Sequence, residues 1–506
     1  MKELKQIHAH AITHGLARFA FVSSRILDFC AQSQHGNLCY AETLFNHMST
    51  PNIFDCNSMI MGFSRNSEFQ KSLSIFNHMR SIGICPNSHT FTAVVKACVS
   101  LSLLEQVHTL IVRLGYLSDI YVISSLISLY SRHGAVEVAR RVFDESPNSN
   151  VVSWTSLISG YCSNGLVNEA RALFDAIPVR NDVSYSAMVS GYVRNGCFNK
   201  GIDLFRELKS CMHVKPNRSL LVSVLNACAA VGAFGEGKWI HSFINENGFG
   251  YELEISTALV DFYTKCGNVN AAEEIFSRMP HKDVTAWSAM ILGLAINGKN
   301  QQALDLFAHM EKVGPRSNAV TIVGVLTACN HKYLLTEAWR LFGRMSKVYG
   351  ISPSIEHYGC MVDILARAGQ IKEAEILIKS MPMEPDGAIW GSLLNGCLMH
   401  GHVELGQRVG KLLIKLEPQH SGRYVLLANM YSRLGWWESA SKIRKMMKDR
   451  AVPAISGWSF IEINQIIHKF VADDKSHSYS RDIYNVLSKL GKEPEDFLVA
   501  KDEYFI

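Results

Sequence analysis

The sequence predicts an all-α fold, a right-handed superhelical α-solenoid assembled from helix–turn–helix repeats. Two observations carry that prediction. Glycines recur at a fixed long period, the mark of a repeat architecture. Between them, apolar residues fall at helical rather than strand spacing. The composition agrees: of 506 residues, 48% are hydrophobic and 19% charged, so the chain can bury an extensive core.

The period is legible in glycines that close a short polar turn. Gly134, Gly165 and Gly196 are 31 residues apart, as are Gly267 and Gly298. Gly165 to Gly267, Gly196 to Gly298 and Gly267 to Gly369 are each 102 residues. A compound unit of 31-, 35- and 36-residue segments therefore recurs. The dipeptides Ala97-Cys98, Ala227-Cys228 and Ala328-Cys329 occupy one phase of it.

Each segment divides into two helices and a turn. In residues 284–318, Trp287, Met290, Ile291 and Leu294 stand at i, i+3, i+4 and i+7, and Ala303, Leu306, Phe307 and Met310 repeat the stripe. Asn297-Gly298 between them reads as a turn, because both residue types tolerate positive φ. Gly314-Pro315 stops the second helix. Ala170, Leu173, Phe174 and Ile177, and Ala272, Ile275, Phe276 and Met279, mark other second helices. One helix pair cannot hide its apolar face; stacked pairs can. Stacking also leaves a concave groove, where functional side chains are expected.

The formal charge of +5 is too small for a polybasic nucleic-acid binder, although a basic stripe remains compatible with it. The 13 cysteines never fall as C-x-x-C, which argues against a zinc ribbon, a deaminase metal site or a secreted disulfide framework. They are expected to be mostly reduced, buried small hydrophobes. No apolar run reaches the roughly 18–20 residues of a membrane span. Residues 1–15 hold no secretory apolar core. No metal, cofactor, membrane or small-molecule substrate is expected, and the chain is not expected to be an enzyme.

Val151-Val152-Ser153-Trp154-Thr155-Ser156-Leu157-Ile158-Ser159-Gly160-Tyr161, followed by Ala170-Arg171-Ala172-Leu173-Phe174, resembles a plant pentatricopeptide repeat. The alternating segment lengths resemble the PLS subclass. Lys238-Trp239-Ile240-His241 is similar to its long form, and Leu259-Val260-Asp261-Phe262-Tyr263-Thr264-Lys265-Cys266-Gly267 to its short form. Residues 1–19 resemble a partial long-form repeat, with Leu4-Lys5-Gln6-Ile7-His8-Ala9-His10, and 20–386 about eleven repeats. Ala388-Ile389-Trp390-Gly391-Ser392-Leu393-Leu394 and Tyr424-Val425-Leu426-Leu427-Ala428-Asn429-Met430-Tyr431 look like the E1 (387–420) and E2 (421–452) motifs of organellar RNA-editing factors. In residues 453–506, Gly457-Trp458-Ser459-Phe460-Ile461-Glu462-Ile463, His468-Lys469-Phe470 and Lys475-Ser476-His477 are similar to an E+ segment, the start of a DYW deaminase domain. The family's usual Pro-Gly is Ser456-Gly457 here. One H-x-E, His402-Val403-Glu404, lies in the E1 region with no C-x-x-C after it, and reads as a surface turn.

The resemblance implies a factor that binds single-stranded organellar RNA and recruits a DYW-type deaminase in trans, with other editing-complex proteins. It implies about one base per repeat, read by the fifth and last residues, with the second residue packing on the base. With Asn57 as a fifth residue, Ser24 and Asn52 read adenine, and Asn57 and Asn87 a pyrimidine. Thr92 and Asp119 form a long-form pair of weak coding. Ser124 with Asn150, Thr155 with Asn181, Ser186 with Asn217 and Ser288 with Asn318 read adenine; Thr257 with Asp283 reads guanine. Val222 with Glu252 and Val323 with Ser354 are blind, and Gly359 with Asp386 is unresolved. Phe21, Phe54, Tyr121, Val152 and Val183 are the base packers. The expected site is 5′-A-Y-N-A-A-A-N-G-A-N-N, about four nucleotides before the edited cytidine.

Asn offers a donor and an acceptor, whereas Asp only accepts and so favours bases with an imino N–H, G and U. Trp436-Trp437 reads either as a docking patch for the deaminase or as helix-turn packing. The family points to the mitochondrion, with the chloroplast as alternative. A factor for transcript stabilisation or splicing, or a tetratricopeptide-like protein scaffold, are the competing readings. The scaffold's period of roughly 34 and its larger groove anchors fit less well.

Overall fold

The computed structural model describes all residues except 1, 17–18, 34, 49, 147–149, 211–213, 251, 333, 454–457, 464–465, 472–476, 478 and 491–506. Described helices run in pairs from Lys2 to Asp449, and the chain forms two compact units, 1–227 and 228–506. In the first, a typical module is Val151–Ser163 followed by Val167–Asp175; in the second, Val284–Ile296 followed by Asn300–Val313. The residues resembling E1 and E2 form two more pairs, Gly387–His400 with Val403–Leu416 and Ser421–Arg433 with Trp437–Asp449.

The repeat region is helical as expected, and the tail adds one element that helical periodicity does not announce. Trp458–Ile463 and Ile466–Val471 pair as an antiparallel hairpin, from Trp458 opposite Val471 to Ile463 opposite Ile466. Both segments are dense in β-branched and aromatic residues, which favour a pleated strand. Helix Ser480–Leu490 follows. Ser456-Gly457 and Lys475-Ser476 lie outside the described residues.

Within each unit, first helices pack on their own second helices and on the first helices of the next module, as Val151–Ser163 does on Val167–Asp175 and Asp182–Arg194, and Val284–Ile296 on Asn300–Val313 and Ala319–His331. Consecutive second helices are joined more loosely, by ion pairs such as Lys71–Glu42 at 2.9 Å, and leave outer clefts of about 650 Å³ between Phe69–Ser81 and Leu101–Arg113 and about 740 Å³ between Leu38–Asn46 and Phe69–Ser81. Glycine makes the inner contact close. A Cβ on Gly160 would overlap the Ser131 side chain of the preceding first helix, and one on Gly191 would overlap Cys162.

The turn glycines take φ near 75°, among them Gly134 at 76°, Gly165 at 78° and Gly298 at 75°. Asn297 does not share that conformation: its φ is −86°. Its reason for being there is the side chain. Asn297 Nδ2 donates to Gly293 O and to Thr264 O of the preceding module, both at 2.8 Å. Asn164 and Asn195 repeat the staple onto Ser131 O and Cys162 O. These amides satisfy carbonyls that helix ends otherwise leave open.

The apolar stripes are buried as expected, with small corrections. Leu306 is only half-buried, and Ile177 and Met279 lie just past the ends of their helices, at Asp175 and Arg278, yet stay inside. Ala97-Cys98 ends the helix Ser88–Ala97, whereas Ala227-Cys228 and Ala328-Cys329 sit within helices. Seven described cysteines are buried, Cys197, Cys266 and Cys360 are half-buried, and Cys39 and Cys85 are exposed. Burial pushes the Cys98 thiol up to about 12 and that of Cys162 to about 11, which keeps both unreactive. No described helix is long and apolar enough to cross a membrane.

Candidate functional site

The last residue of each module is also the N-cap of the next first helix. A cap residue accepts the N–H of the second or third helical residue, which has no carbonyl partner of its own. Asn52 Oδ1 accepts from Phe54 N at 2.8 Å and Asp55 N at 3.1 Å. Asn87, Asn150, Asn181, Asn217 and Asn318 accept in the same way at 2.9–3.1 Å. Asp119 Oδ1 accepts from Tyr121 N and Val122 N, and Asp283 Oδ1 from Ala286 N. Asp386 caps its helix as well. Glu252 stands at the same position without a side-chain cap bond, because its carboxylate is one methylene further out.

Capping corrects the expectation that Asn offers donor and acceptor alike. The oxygen is committed to the helix, so Nδ2 is the group left to act elsewhere. A capping Asp keeps its second oxygen as an acceptor. One cap thus exposes a donor or an acceptor according to a single atom. Asn217 departs from the rule, since its Nδ2 already donates to Asp182 Oδ2 at 2.9 Å.

The fifth residues lie beside these caps, and four pairs bond directly. Asn52 Nδ2 reaches Ser24 Oγ at 3.4 Å, and Asn57 Nδ2 reaches Asn87 Oδ1 at 3.2 Å. Ser186 Oγ lies 2.8 Å from Asn217 Oδ1 and 2.7 Å from Asp182 O of its own helix, and Ser288 Oγ lies 3.1 Å from Asn318 Oδ1 and 2.7 Å from Val284 O, so each hydroxyl proton is shared between cap and helix. The other four pairs are not joined this way. Thr92, Ser124 and Thr155 turn their hydroxyls to carbonyls of their own helices. Thr257 Oγ1, beside Asp283, is buried without a hydrogen-bond partner. Val222, Val323 and Gly359 bring no polar side-chain atom.

The five expected second-position packers face water, whereas the register places His89, Ser219, Glu254, Thr285 and Glu356 at the same position of other modules. Phe21 is 71% exposed and Tyr121 69%, and Phe54, Val152 and Val183 are exposed too. Val320 occupies the same place in a later module and is also exposed; the register locates it, although it was not among the expected packers. In the first unit, Thr155, Val183, Ser186 and Asn217 share a groove of about 600 Å³ with Ser156, Ser159 and Ser190. Arg132 and Arg194 flank it, and Arg194 Nη1 donates to Ser163 Oγ at 2.9 Å. Both arginines end first helices, where a cation also complements the helix dipole. The small net charge hid them from the sequence reading.

At the other end of the chain, His402 precedes helix Val403–Leu416 and Glu404 lies in its first turn. No group of three His, Cys, Asp or Glu among the described residues is placed to hold a metal ion. Trp436 leans on Tyr431 with ring centroids 5.9 Å apart yet stays 43% exposed, and Trp437 is 68% exposed.

Fold and site together define a helix-pair repeat protein most of whose modules present a capping polar side chain and a second small side chain, joined in several by an exposed apolar one. Family profiles sharpen the class. The PPR repeat matches residues 121–151, 147–177, 183–212, 255–284, 285–315 and 356–384, the PPR repeat family 51–100, and the E motif 400–462. The chain is 44% identical over 480 residues to pentatricopeptide repeat-containing protein At5g66520 of Arabidopsis thaliana, covering 94% of this chain and 77% of that protein. It is 42% identical to pentatricopeptide repeat-containing protein ELI1, chloroplastic, of the same plant, covering 97% and 78%. Among solved structures, maize pentatricopeptide repeat protein PPR10 aligns at 18% identity and a TM-score of 0.49, over 89% of this chain and 76% of that chain. The chain belongs to the pentatricopeptide repeat family.

Proposed function

We propose that this protein binds one single-stranded organellar RNA in a sequence-specific manner and marks a cytidine in it for C-to-U editing by a deaminase carried on another chain. The observation that carries the RNA reading is the cap geometry. Several modules, such as those of Phe21 and Asn52, Phe54 and Asn87, and Val152 and Asn181, offer one capping side chain of fixed polarity together with an exposed apolar residue, which suits one unstacked base. A capped Asn turns a donor to the base and fits the ring-nitrogen acceptor of adenine or cytosine. A capped Asp turns an acceptor and fits the imino N–H of guanine or uracil. Arg132 and Arg194 supply phosphate contacts beside the groove, so affinity falls as salt rises.

The E motif profile supports the editing reading. Residues 387–420 and 421–452 act as the E1 and E2 pairs, and 453–506 as the segment that engages the deaminase, with Trp437 an exposed contact on the second pair. ELI1 carries the word chloroplastic in its name, whereas the family resemblance favoured the mitochondrion. The proposal is therefore made for an organelle and tested in both.

Thr257→Asn tests the register. Gel shifts with RNAs differing only at the eighth nucleotide should show wild type favouring G and the variant shifting toward U. Equal binding of both RNAs by both proteins sinks the register. Organelle transcript sequencing in a loss-of-function line tests the editing role: one or a few cytidines downstream of the pattern should stay unconverted. Full conversion together with a lost transcript end or unspliced intron would establish the stabilisation or splicing reading instead.

A further inference from the structure

Arg25 separates the first complete module from the rest. It follows the fifth residue Ser24, and the residue after the fifth is small in the other modules of the solenoid, as in Ser58, Ala93, Ser125, Ser156, Ala187 and Gly324. Small side chains leave open the space between successive second-position residues. Arg25 fills it. Its guanidinium carbon lies 5.4 Å from the ring centroid of Phe21 and 5.6 Å from that of Phe54, over both rings. Phe21 and Phe54 are the exposed second-position aromatics of successive modules, and they flank the Ser24–Asn52 pair.

A guanidinium is planar, delocalised and weakly hydrated, and it stacks on aromatic faces much as a nucleobase does. Two rings around one flat group form the arrangement a base would otherwise take. We propose that Arg25 is an internal plug that occupies the first base slot, so that the first module is blind to its nucleotide and sequence reading begins at Asn57 and Asn87. The inference rests on the RNA-reading function above and adds to it a residue that determines specificity by exclusion. The plug needs no ligand: i,i+4 spacing puts Arg25 against Phe21 within one helix, and the stacking of first helices brings Phe54 to it.

The test uses the full chain and Arg25→Ser, the residue found at this position in several modules. Fluorescence anisotropy would compare RNAs of the proposed pattern carrying A or C at the first nucleotide. A second pair, carrying G or A at the nucleotide assigned to Thr257 and Asp283, reports on the groove itself. Wild type should not distinguish the first pair, and Arg25→Ser should gain a preference for A of roughly fivefold. Arg25→Ala should behave like Arg25→Ser, and both should match wild type in melting temperature. The proposal is overturned if wild type already prefers A at the first nucleotide, or if opening the slot brings no preference while the second pair is still distinguished. It is overturned too if the variants lose affinity for every RNA alike, which would make Arg25 a phosphate contact. If neither pair is distinguished by any of the proteins, the reading function fails, and the plug with it.

Discussion

The first and second helices of each module share one core but are built to different tolerances. First helices meet the first helices of neighbouring modules through glycines, cross-module asparagine staples and capped ends. Second helices pack chiefly on first helices and touch one another through surface ion pairs such as Lys71–Glu42, Arg171–Glu207 and Arg408–Glu375. The difference teaches where spacing is set. A groove that matches one nucleotide per module needs a fixed interval along one layer, and the glycine-packed layer supplies it. The outer layer is free to vary in length, which explains how segments of different size coexist in one chain.

The largest expected effect breaks the inner layer directly. Alanine for glycine within a helix ordinarily stabilises by about 0.5–1 kcal/mol. At Gly191 the new Cβ would overlap Cys162 of the neighbouring first helix, so overpacking should dominate, at about 1–3 kcal/mol of destabilisation. Urea denaturation of Gly191→Ala gives the sign, and a stabilised variant would show that the inner contact is loose.

A smaller effect separates capping from reading. Asn181 Oδ1 accepts from Ser184 N at 3.0 Å. Asn181→Ala should cost about 1 kcal/mol by loss of the cap. Asn181→Asp keeps the cap and replaces the outward donor with an acceptor. Its stability should stay close to wild type while its base preference moves from adenine toward guanine. Melting curves and RNA anisotropy on the same samples check both halves.

The smallest effect concerns the seam between the layers. His108, on helix Leu101–Arg113, places Nδ1 3.0 Å from the hydroxyl of Tyr130 on the next first helix, and His241 meets Tyr263 in the same way at 2.8 Å. Burial lowers the pKa of His108, with Glu145 opposing in part, and burial also lowers that of His241. Burial raises the Tyr130 hydroxyl to about 12, so it stays neutral. The folded histidines therefore take up a proton less readily than the unfolded chain, whose value is near 6.5. Their contribution is intact above that value and declines as pH falls through it toward the depressed folded pKa. The melting temperature should drop between pH 7.5 and 5.5, and His108→Gln should flatten part of that slope.

Much of the fold was legible because its signals are local and repeated. The 31- and 102-residue glycine intervals, the stripes around Trp287 and Phe307, and the Gly314-Pro315 stop each depend on a few neighbouring residues. The hairpin at Trp458–Val471 is not legible in helical periodicity, because its signal is the β-branched and aromatic composition of two six-residue strands. At the candidate site, residue positions followed from the period, but atomic roles did not. No spacing rule says that Asn297 uses its amide rather than its backbone, or that the oxygen of Asn181 is spent on a helix end.

The sequence by itself determined the repeat, the boundaries of most helices and the type of residue at each module position, because periodic apolar burial and turn chemistry act over short stretches of chain. The tertiary structure decided which polar atoms remain unspent and which slot is filled. Those outcomes depend on groups from two modules meeting, as Asn52 meets Ser24 and as Arg25 meets both Phe21 and Phe54. A hydrogen bond or a stacked ring is fixed only when both partners are held in place, and residues some thirty positions apart are held together only by the packing of one helix on the next.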